Sequence, residues 1–526
     1  MKILISDNLA PEARELIQAT GKIQVDDRAG MGADELLEKI SEYDGLIIRS
    51  ATKVTEKVLQ QARKLKVIGR AGIGLDNVDI PAATARGIVV MNTPEGNTVT
   101  TAEHTVSMLL ALSRNIPQAT ASMKSLKWEK KKFQGKEVFR KTLGIVGMGK
   151  IGSIVADRAQ GLKMKVIAYD PFLKEEAARN LGVELVSFDE LLSRADYLTV
   201  HVPRTAETVG LINEKAIAKM KNGSIVINCA RGGIVDEKAL YKALSEGKLR
   251  GAGLDVFETE PPGDNPLLSL DNVICTPHLG ASTEEAQRNV AIDVAQQMAD
   301  YLLNGTVKNA VNMPSIEGEQ MAVLKPFLEL CEKMALFLSQ IVSGGLEEVA
   351  VSYMGEVSGF DCRPLSTAVL VGLLSPRLKD MVNFVNAPVI AKERGIRVSE
   401  IKSETVEDFL NLISIEVKVD GKKVYLAGTL FGKKEPRIVR IDEFALEAAP
   451  KGHLVFIKSV DAPGVIGELG AYIGSQSINI NRMSVGQDLE NRQNVILINT
   501  DVTVPGPVME GLRELENVIE AVRVDI

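Results

Sequence analysis

Cysteine is scarce in this chain. Its 526 residues hold four, at positions 229, 275, 331 and 362, with neither CxxC nor metal-ligand spacing. That count is too low for a disulfide-stapled scaffold, and reduced thiols in a cytoplasmic protein are the expectation. Aromatic residues make up only 4% and tryptophan occurs once. Histidine occurs four times, so few side chains are available for proton exchange near neutral pH. Positive charge is not in excess. Lys and Arg total 62 against 69 Asp and Glu, a net charge of −7, so no broad basic face for nucleic acid is signalled. No apolar run approaches the roughly 20 residues of a membrane helix, and no membrane partner is expected. The opening MKILISDNLAPEARELI has a short apolar run that stops at Asp7. It reads as a first strand and not as a signal peptide.

What is present is an ordinary globular composition, 45% hydrophobic and 25% charged. The length predicts several domains. In the first hundred residues, the apolar runs KILIS, GLIIRS, LKVIGR and IVVMN alternate with amphipathic stretches. That rhythm predicts a doubly wound parallel sheet covered on both faces. A long helical stretch follows from Thr100, then a looser basic segment to Lys141 that contains Trp128. The rhythm restarts at Thr142 and supplies six more strand candidates: TLGIVG, KVIAYD, YLTVHV, SIVINCA, GAGLDV and NVICTP. A second long helix, from about Thr283, stops at Asn304-Gly305 and could return the chain to the first unit. Beyond Gly318 the texture becomes α+β. The last residues, from Gly452, follow a βαββαβ order, the ferredoxin-like split unit.

Gly147-Met-Gly149-Lys150-Ile151-Gly152 fits G-x-G-x-x-G. The pattern alone is weak. Here it follows a strand and opens a helix, and Asp170 ends the next strand, which is the context of a dinucleotide site. Gly147 permits the turn, Gly149 lets the backbone approach a pyrophosphate, and Gly152 lets helix and strand pack closely. The helix N-terminus favours the phosphates. A carboxylate at 170 can accept from a ribose diol and would repel a 2′-phosphate, so NAD is expected over NADP.

Three further residues follow successive strands on one rim: Arg231 after SIVINCA, Glu260 after GAGLDV, and His278 after NVICTP. A planar cation can hold a substrate carboxylate and carbonyl. An imidazole can exchange the hydroxyl proton during hydride transfer, and an adjacent carboxylate would stabilise its charged form. His104, within a helix, His201, at a strand end, and His453, near the C-terminus, compete poorly for that role.

The segments GLIIRSATKVT, VIGRAGIGLDNVD, NTPEGNTVTTAEHT, TLGIVGMGKIG, NCARGGIVDE, GAGLDVFETEPP and TPHLGAS resemble the D-isomer-specific 2-hydroxyacid dehydrogenase family. The likeness is to its long members, which carry two extra domains. VDAPGVIGELGAYIGSQSINI is similar to an amino-acid-binding ACT domain. The resemblance implies an α/β fold of two doubly wound parallel-sheet domains. One is a flavodoxin-like substrate domain (1–97 and 288–314) and the other a Rossmann cofactor domain (98–287). An α+β intervening domain (315–450) and a ferredoxin-like ACT domain (451–526) follow. It implies Arg231, Glu260 and His278 as catalytic residues. Its cofactor positions add Ile73, Val202, Cys229, Ala230, Arg231, Asp255, His278, Leu279, Gly280 and Ala281 to the glycine loop and Asp170.

The resemblance further implies NAD-linked oxidation of D-3-phosphoglycerate. Arg49, Ser50, Arg70 and Asn97 would contact substrate, and Lys130 would add charge from a neighbouring subunit of a homotetramer. Two arginines aimed at one cleft favour a dianionic phosphate. The alternative is another 2-oxo acid such as 2-oxoglutarate or glyoxylate. L-serine is the implied effector, held by Asp461 and Asn479.

Overall fold

The protein is described by a computed structural model that covers residues 1–314, 318–378, 382–406, 408–488 and 490–526. Four sheets organise it. In the first, five parallel strands run in the order Gln24–Asp27, Lys2–Ile5, Gly45–Ile48, Val67–Arg70, Val89–Asn92. This is the flavodoxin-like 2-1-3-4-5 order. The inner strands are apolar on both faces because helices cover both sides. Gln24–Asp27 (QVDD) escapes sequence reading because it is a partly exposed edge strand with no apolar run.

Helix Glu284–Asn304 packs against this sheet. Val290, Val294 and Met298 enter one core with Ile3, Ile5, Val67 and Met91. Each such burial stabilises by about 1.5–3 kcal/mol. Glycine at strand positions 45 and 69 allows the approach. A Cβ at Gly69 would stand 2.6 Å from Val294 Cγ2, and one at Gly45 2.9 Å from Met298 Cε.

The second sheet has seven parallel strands. Their order is Val273–Cys275, Leu249–Leu254, Ser224–Asn228, Tyr197–Val200, Thr142–Val146, Lys165–Tyr169, Glu184–Leu185. It contains the six strands expected plus Glu184–Leu185, which at two residues carries no periodicity. The strand order reverses between Thr142–Val146 and Tyr197–Val200, so the ligand crevice lies there, outside the carboxyl ends of the strands.

The third sheet is mixed and six-stranded, with Arg397–Ser403 and Leu346–Gly355 parallel at one edge. Arg397–Ser403 is exposed along nearly its whole length. It therefore lacks the burial pattern that would announce a strand. The fourth sheet is antiparallel, in the order Ile480–Asp488, Gln493–Thr500, His453–Val460, Val518–Asp525, with helices Val465–Ser475 and Gly506–Glu514 on one face. Its other face shares a core with the middle unit: Leu330 and Phe337 of helix Gly318–Ile341 join Leu454, Phe456 and Val524. The Phe337 and Phe456 rings meet edge-on at 6.1 Å. No described helix is long and apolar enough to cross a membrane.

Candidate active site

The glycine loop sits at the switch point. Gly147 has φ +92°, and a Cβ there would fall 2.7 Å from the His201 carbonyl oxygen. A Cβ at Gly152 would fall 2.1 Å from the Gly147 oxygen, so bare backbone sets the packing of helix Lys150–Gly161 on its strand. At Gly149 nothing lies within 4 Å of that position, which leaves the approach to the helix N-terminus open. Asp170 ties the loop down: Oδ2 accepts from Met148 N at 2.8 Å and Oδ1 from Phe172 N at 2.8 Å. A carboxylate has about four acceptor positions, so capacity remains for a diol. These features fit NAD. Lys150 Nζ is paired with Glu95 of the first unit at 2.6 Å.

On the rim, His278 Nδ1 meets Glu260 Oε2 at 2.7 Å, and Glu260 Oε1 accepts from Phe257 N at 3.1 Å. The two side chains are 48% and 38% exposed, so the imidazole is reachable from the cleft. His278 has φ +55°, an uncommon conformation for a non-glycine residue. Its loop is held by Asp255, which follows strand Leu249–Leu254 and is 1% exposed. Asp255 Oδ1 accepts from Thr276 Oγ1 at 2.6 Å and Leu279 N at 2.7 Å, and Oδ2 from Gly280 N at 2.7 Å. His104 Nε2 stands 3.3 Å from Oδ1. Burial acts to raise the Asp255 carboxyl. The hydrogen bonds from His104, Thr276, Leu279 and Gly280 outweigh it and hold the group below its ordinary value.

Arg49 and Arg70 end neighbouring strands, with Ile48 in register with Arg70. Arg49 is anchored by its N–H on Asp7 and by Nη1 on Asn8 O at 3.2 Å. Arg70 Nε is buried without a partner. Burial first, then the charge of Arg231, pulls the Arg70 pKa down to about 10; Arg49 adds to this and Asp76 opposes it. Arg231 Nε donates to Asp76 Oδ2 at 3.1 Å across the two units, and Nη1 to Ala230 O at 2.6 Å. Arg49 and Arg231 thus both act on Arg70, and among the described residues only Arg231 of the three has a carboxylate ion-pair partner. A polyanion would relieve that imbalance.

The other sequence-selected residues divide. Ser50 follows Arg49 on the exposed rim. Asn97 stands at the N-cap position of helix Thr98–Arg114 without a side-chain capping bond, and its Oδ1 is buried with no partner among the described residues. Ile73 O accepts from Asn92 Nδ2 at 2.6 Å. Val202 lies against the glycine loop. Lys130 stands on an exposed turn. The Cys229 thiol turns into the core, 3.5 Å from Met108 Sδ, where burial raises its pKa to about 12. Only its main chain could serve a cofactor. The Asp255 carboxylate is engaged by the 276–280 loop. Ala281 adjoins that loop, half-buried. His201 Nδ1 is buried without a partner, and burial lowers its pKa to about 4, so it stays neutral near pH 7. Sequence reading missed Asp76, Glu95, Thr276 and the contact made by His104. Helical position disguised His104, and no pattern marks the others.

In the C-terminal sheet Asp461 follows strand His453–Val460, and its Oδ1 accepts from Asn494 Nδ2 at 3.0 Å. Asn479 donates through its N–H to Asp501 Oδ1 at 3.0 Å. Val460 registers with Gln493 and Ile480 with Thr500, so the two residues lie at opposite ends of the sheet. Eight residues of strand separate them by roughly 25 Å. The expectation that they grip one small ligand fails within a single chain.

Switch-point glycine loop, rim imidazole and cationic cleft together define a nucleotide-dependent oxidoreductase. Residues 106–280 match the D-isomer specific 2-hydroxyacid dehydrogenase NAD binding domain, and residues 323–442 match the D-3-phosphoglycerate dehydrogenase intervening domain. The chain is 45% identical to D-3-phosphoglycerate dehydrogenase of Archaeoglobus fulgidus, over 100% of both chains. It is 46% identical to that of Methanocaldococcus jannaschii, over 98% of each. Among solved structures, a Thermus thermophilus protein is 35% identical with a TM-score of 0.55, covering 59% of this chain and 100% of its own. Aquifex aeolicus D-lactate dehydrogenase, complexed with NAD and lactic acid, is 30% identical with a TM-score of 0.54, covering 60% and 100%. The chain belongs to the D-isomer-specific 2-hydroxyacid dehydrogenases, and within them to the D-3-phosphoglycerate dehydrogenase family; it is an NAD-dependent oxidoreductase.

Proposed function

We propose that the chain oxidises D-3-phosphoglycerate to 3-phosphohydroxypyruvate, the first step of the phosphorylated route to L-serine. The reading is supported by two observations: Arg49 and Arg231 both act on the buried Arg70, and His278 is paired with Glu260 on the rim of the cofactor sheet. Arg231 receives the substrate carboxylate and C2 oxygen, and Arg49 and Arg70 receive the phosphate, with Ser50 and Asn97 beside them. Oxidation removes the C2 hydrogen with its electron pair and the hydroxyl hydrogen as a proton. Bound NAD supplies the acceptor for the hydride. His278 takes the proton at Nε2, because Nδ1 is held by Glu260. Glu260 then stabilises the imidazolium, which returns the proton in the reverse direction.

The glycine loop, Asp170, Val202, the main chain at Cys229 and Ala230, and the 279–281 segment hold the cofactor. Asp170→Ala is expected to raise the KM for NAD about tenfold while that for NADP changes little, as read from paired initial-rate titrations. Unchanged selectivity would remove Asp170 from the ribose.

L-serine is the proposed effector. Asp461 and Asn479 can meet one ligand only if two copies pair their C-terminal sheets, which accords with a homotetramer. Lys130 then acts from a neighbouring subunit. The unpaired cysteines suit a cytoplasmic setting.

A substrate panel with NAD tests the reading. Wild type should favour D-3-phosphoglycerate over D-lactate. In the reductive direction with NADH, it should favour 3-phosphohydroxypyruvate over glyoxylate and 2-oxoglutarate. Addition of L-serine should lower the rate. Arg70→Ala should raise the KM for D-3-phosphoglycerate about 10–100-fold, the span for hydrogen bonds to charged groups. If that KM is unmoved, the phosphate assignment is wrong.

A further inference from the structure

Asp76 holds the one cleft guanidinium that reaches across the two units, and its chemistry is that of a carboxylate on a carboxylate-binding arginine. A guanidinium grips a carboxylate bidentately through an edge of two nitrogens. In Arg231, Nε is taken by Asp76 and Nη1 by the neighbouring Ala230 carbonyl. Either edge that includes Nη2 therefore has one nitrogen already engaged. Nη2 lies against the backbone at Gly74, where a Cβ would fall 1.9 Å from it. The Ala230 bond is made by the adjacent peptide and is fixed by the chain. The Asp76 bond is not fixed: its side chain is 63% exposed, against 28% for Arg231. The edge that can be vacated is thus Nε/Nη2, and Asp76 is the group that must leave it.

We propose that Asp76 competes with the substrate carboxylate for the Nε/Nη2 edge of Arg231, latching the two units together and yielding that edge when substrate binds. It is a positioning residue, and its role rests on the reading of Arg231 given above. Asp76 then competes with substrate, so its removal tightens substrate binding and leaves the chemical step almost unchanged. An ion pair of this exposure predicts an effect of about two- to fivefold.

The experiment is a double-mutant cycle on the full-length enzyme. The Kd of D-3-phosphoglycerate in its dead-end complex with NADH is measured by calorimetry for wild type, Asp76→Asn, Asp76→Ala, Arg231→Lys and the double variants. Steady-state kcat is measured in parallel. The expected result is a lower Kd in both Asp76 variants with kcat within twofold, and loss of that gain in the Arg231→Lys background. A Kd that rises, or a kcat that falls tenfold at constant Kd, would make Asp76 an orienting group and overturn the latch. A gain that persists without Arg231 would show a general field effect and overturn it equally. If Arg231→Lys alone leaves Kd and kcat unchanged, the assignment of Arg231 has failed, and the latch with it, by a separate route.

Discussion

Replacing His278 with alanine is expected to lower kcat by roughly two to four orders of magnitude, the span of a general acid–base group. The NAD dissociation constant should shift less than about twofold. The reason is positional. The imidazole is half exposed on the cleft rim, and its one hydrogen-bond partner among the described residues is Glu260, at 2.7 Å on Nδ1. It offers Nε2 to substrate and bears no part of the fold's interior. Stopped-flow measurement of NADH formation would check the rate, and fluorescence titration the affinity. A variant with normal turnover would remove His278 from proton transfer. A variant with weakened NAD binding and an intact chemical step would turn it into a cofactor-positioning group. Glu260→Gln should follow the same direction with a smaller loss, since an amide can still hold the ring but cannot stabilise an imidazolium.

Asp255→Asn is expected to damage both stability and turnover although the change conserves size. The carboxylate accepts from Thr276 Oγ1, Leu279 N and Gly280 N. An amide has one oxygen to offer, and its NH2 would face an N–H or O–H donor. Each buried donor left without an acceptor costs about 1–3 kcal/mol. The same loop carries His278 at φ +55°, so its relaxation misplaces the proton acceptor. A displacement of about 1 Å can cost about a hundredfold in rate. The acid dependence has a definite sign. The Asp255 carboxyl is held below its ordinary value of 3.8 in the folded state. Its contribution is therefore complete above that ordinary value and is lost as pH falls through the lower folded one. Thermal melts across the acid range should show the wild type losing this increment and Asp255→Asn lacking it throughout. Equal melting temperatures at neutral pH would refute the clamp.

The two doubly wound sheets were legible because their inner strands are buried on both faces, and continuous apolar runs such as GLIIRS and YLTVHV can hardly be anything else. The glycine loop was legible because Gly147 and Gly152 answer steric demands that another residue would violate, while Gly149 keeps the approach to the helix N-terminus open. What escaped was held by neighbours instead of by its own sequence. Gln24–Asp27 and Arg397–Ser403 are strands because an adjacent strand offers them hydrogen bonds, and their exposed side chains record nothing of it. Chain position placed Cys229 at the crevice, and only the packing shows that its thiol turns into the core beside Met108.

The sequence by itself determined the class of chemistry. A phosphate-cradling turn, an acid at the end of the next strand, and an arginine, a glutamate and a histidine after later strands are local choices, readable one segment at a time. Tertiary structure alone decided the pairings between segments. Asp76 stands 155 residues from Arg231, and His104 stands 172 from Thr276. Asp461 and Asn479 are close in sequence yet occupy opposite ends of one sheet. The physical reason is that a carboxylate's partner is chosen by distance and burial after the chain has folded, and no periodicity along the chain encodes that choice.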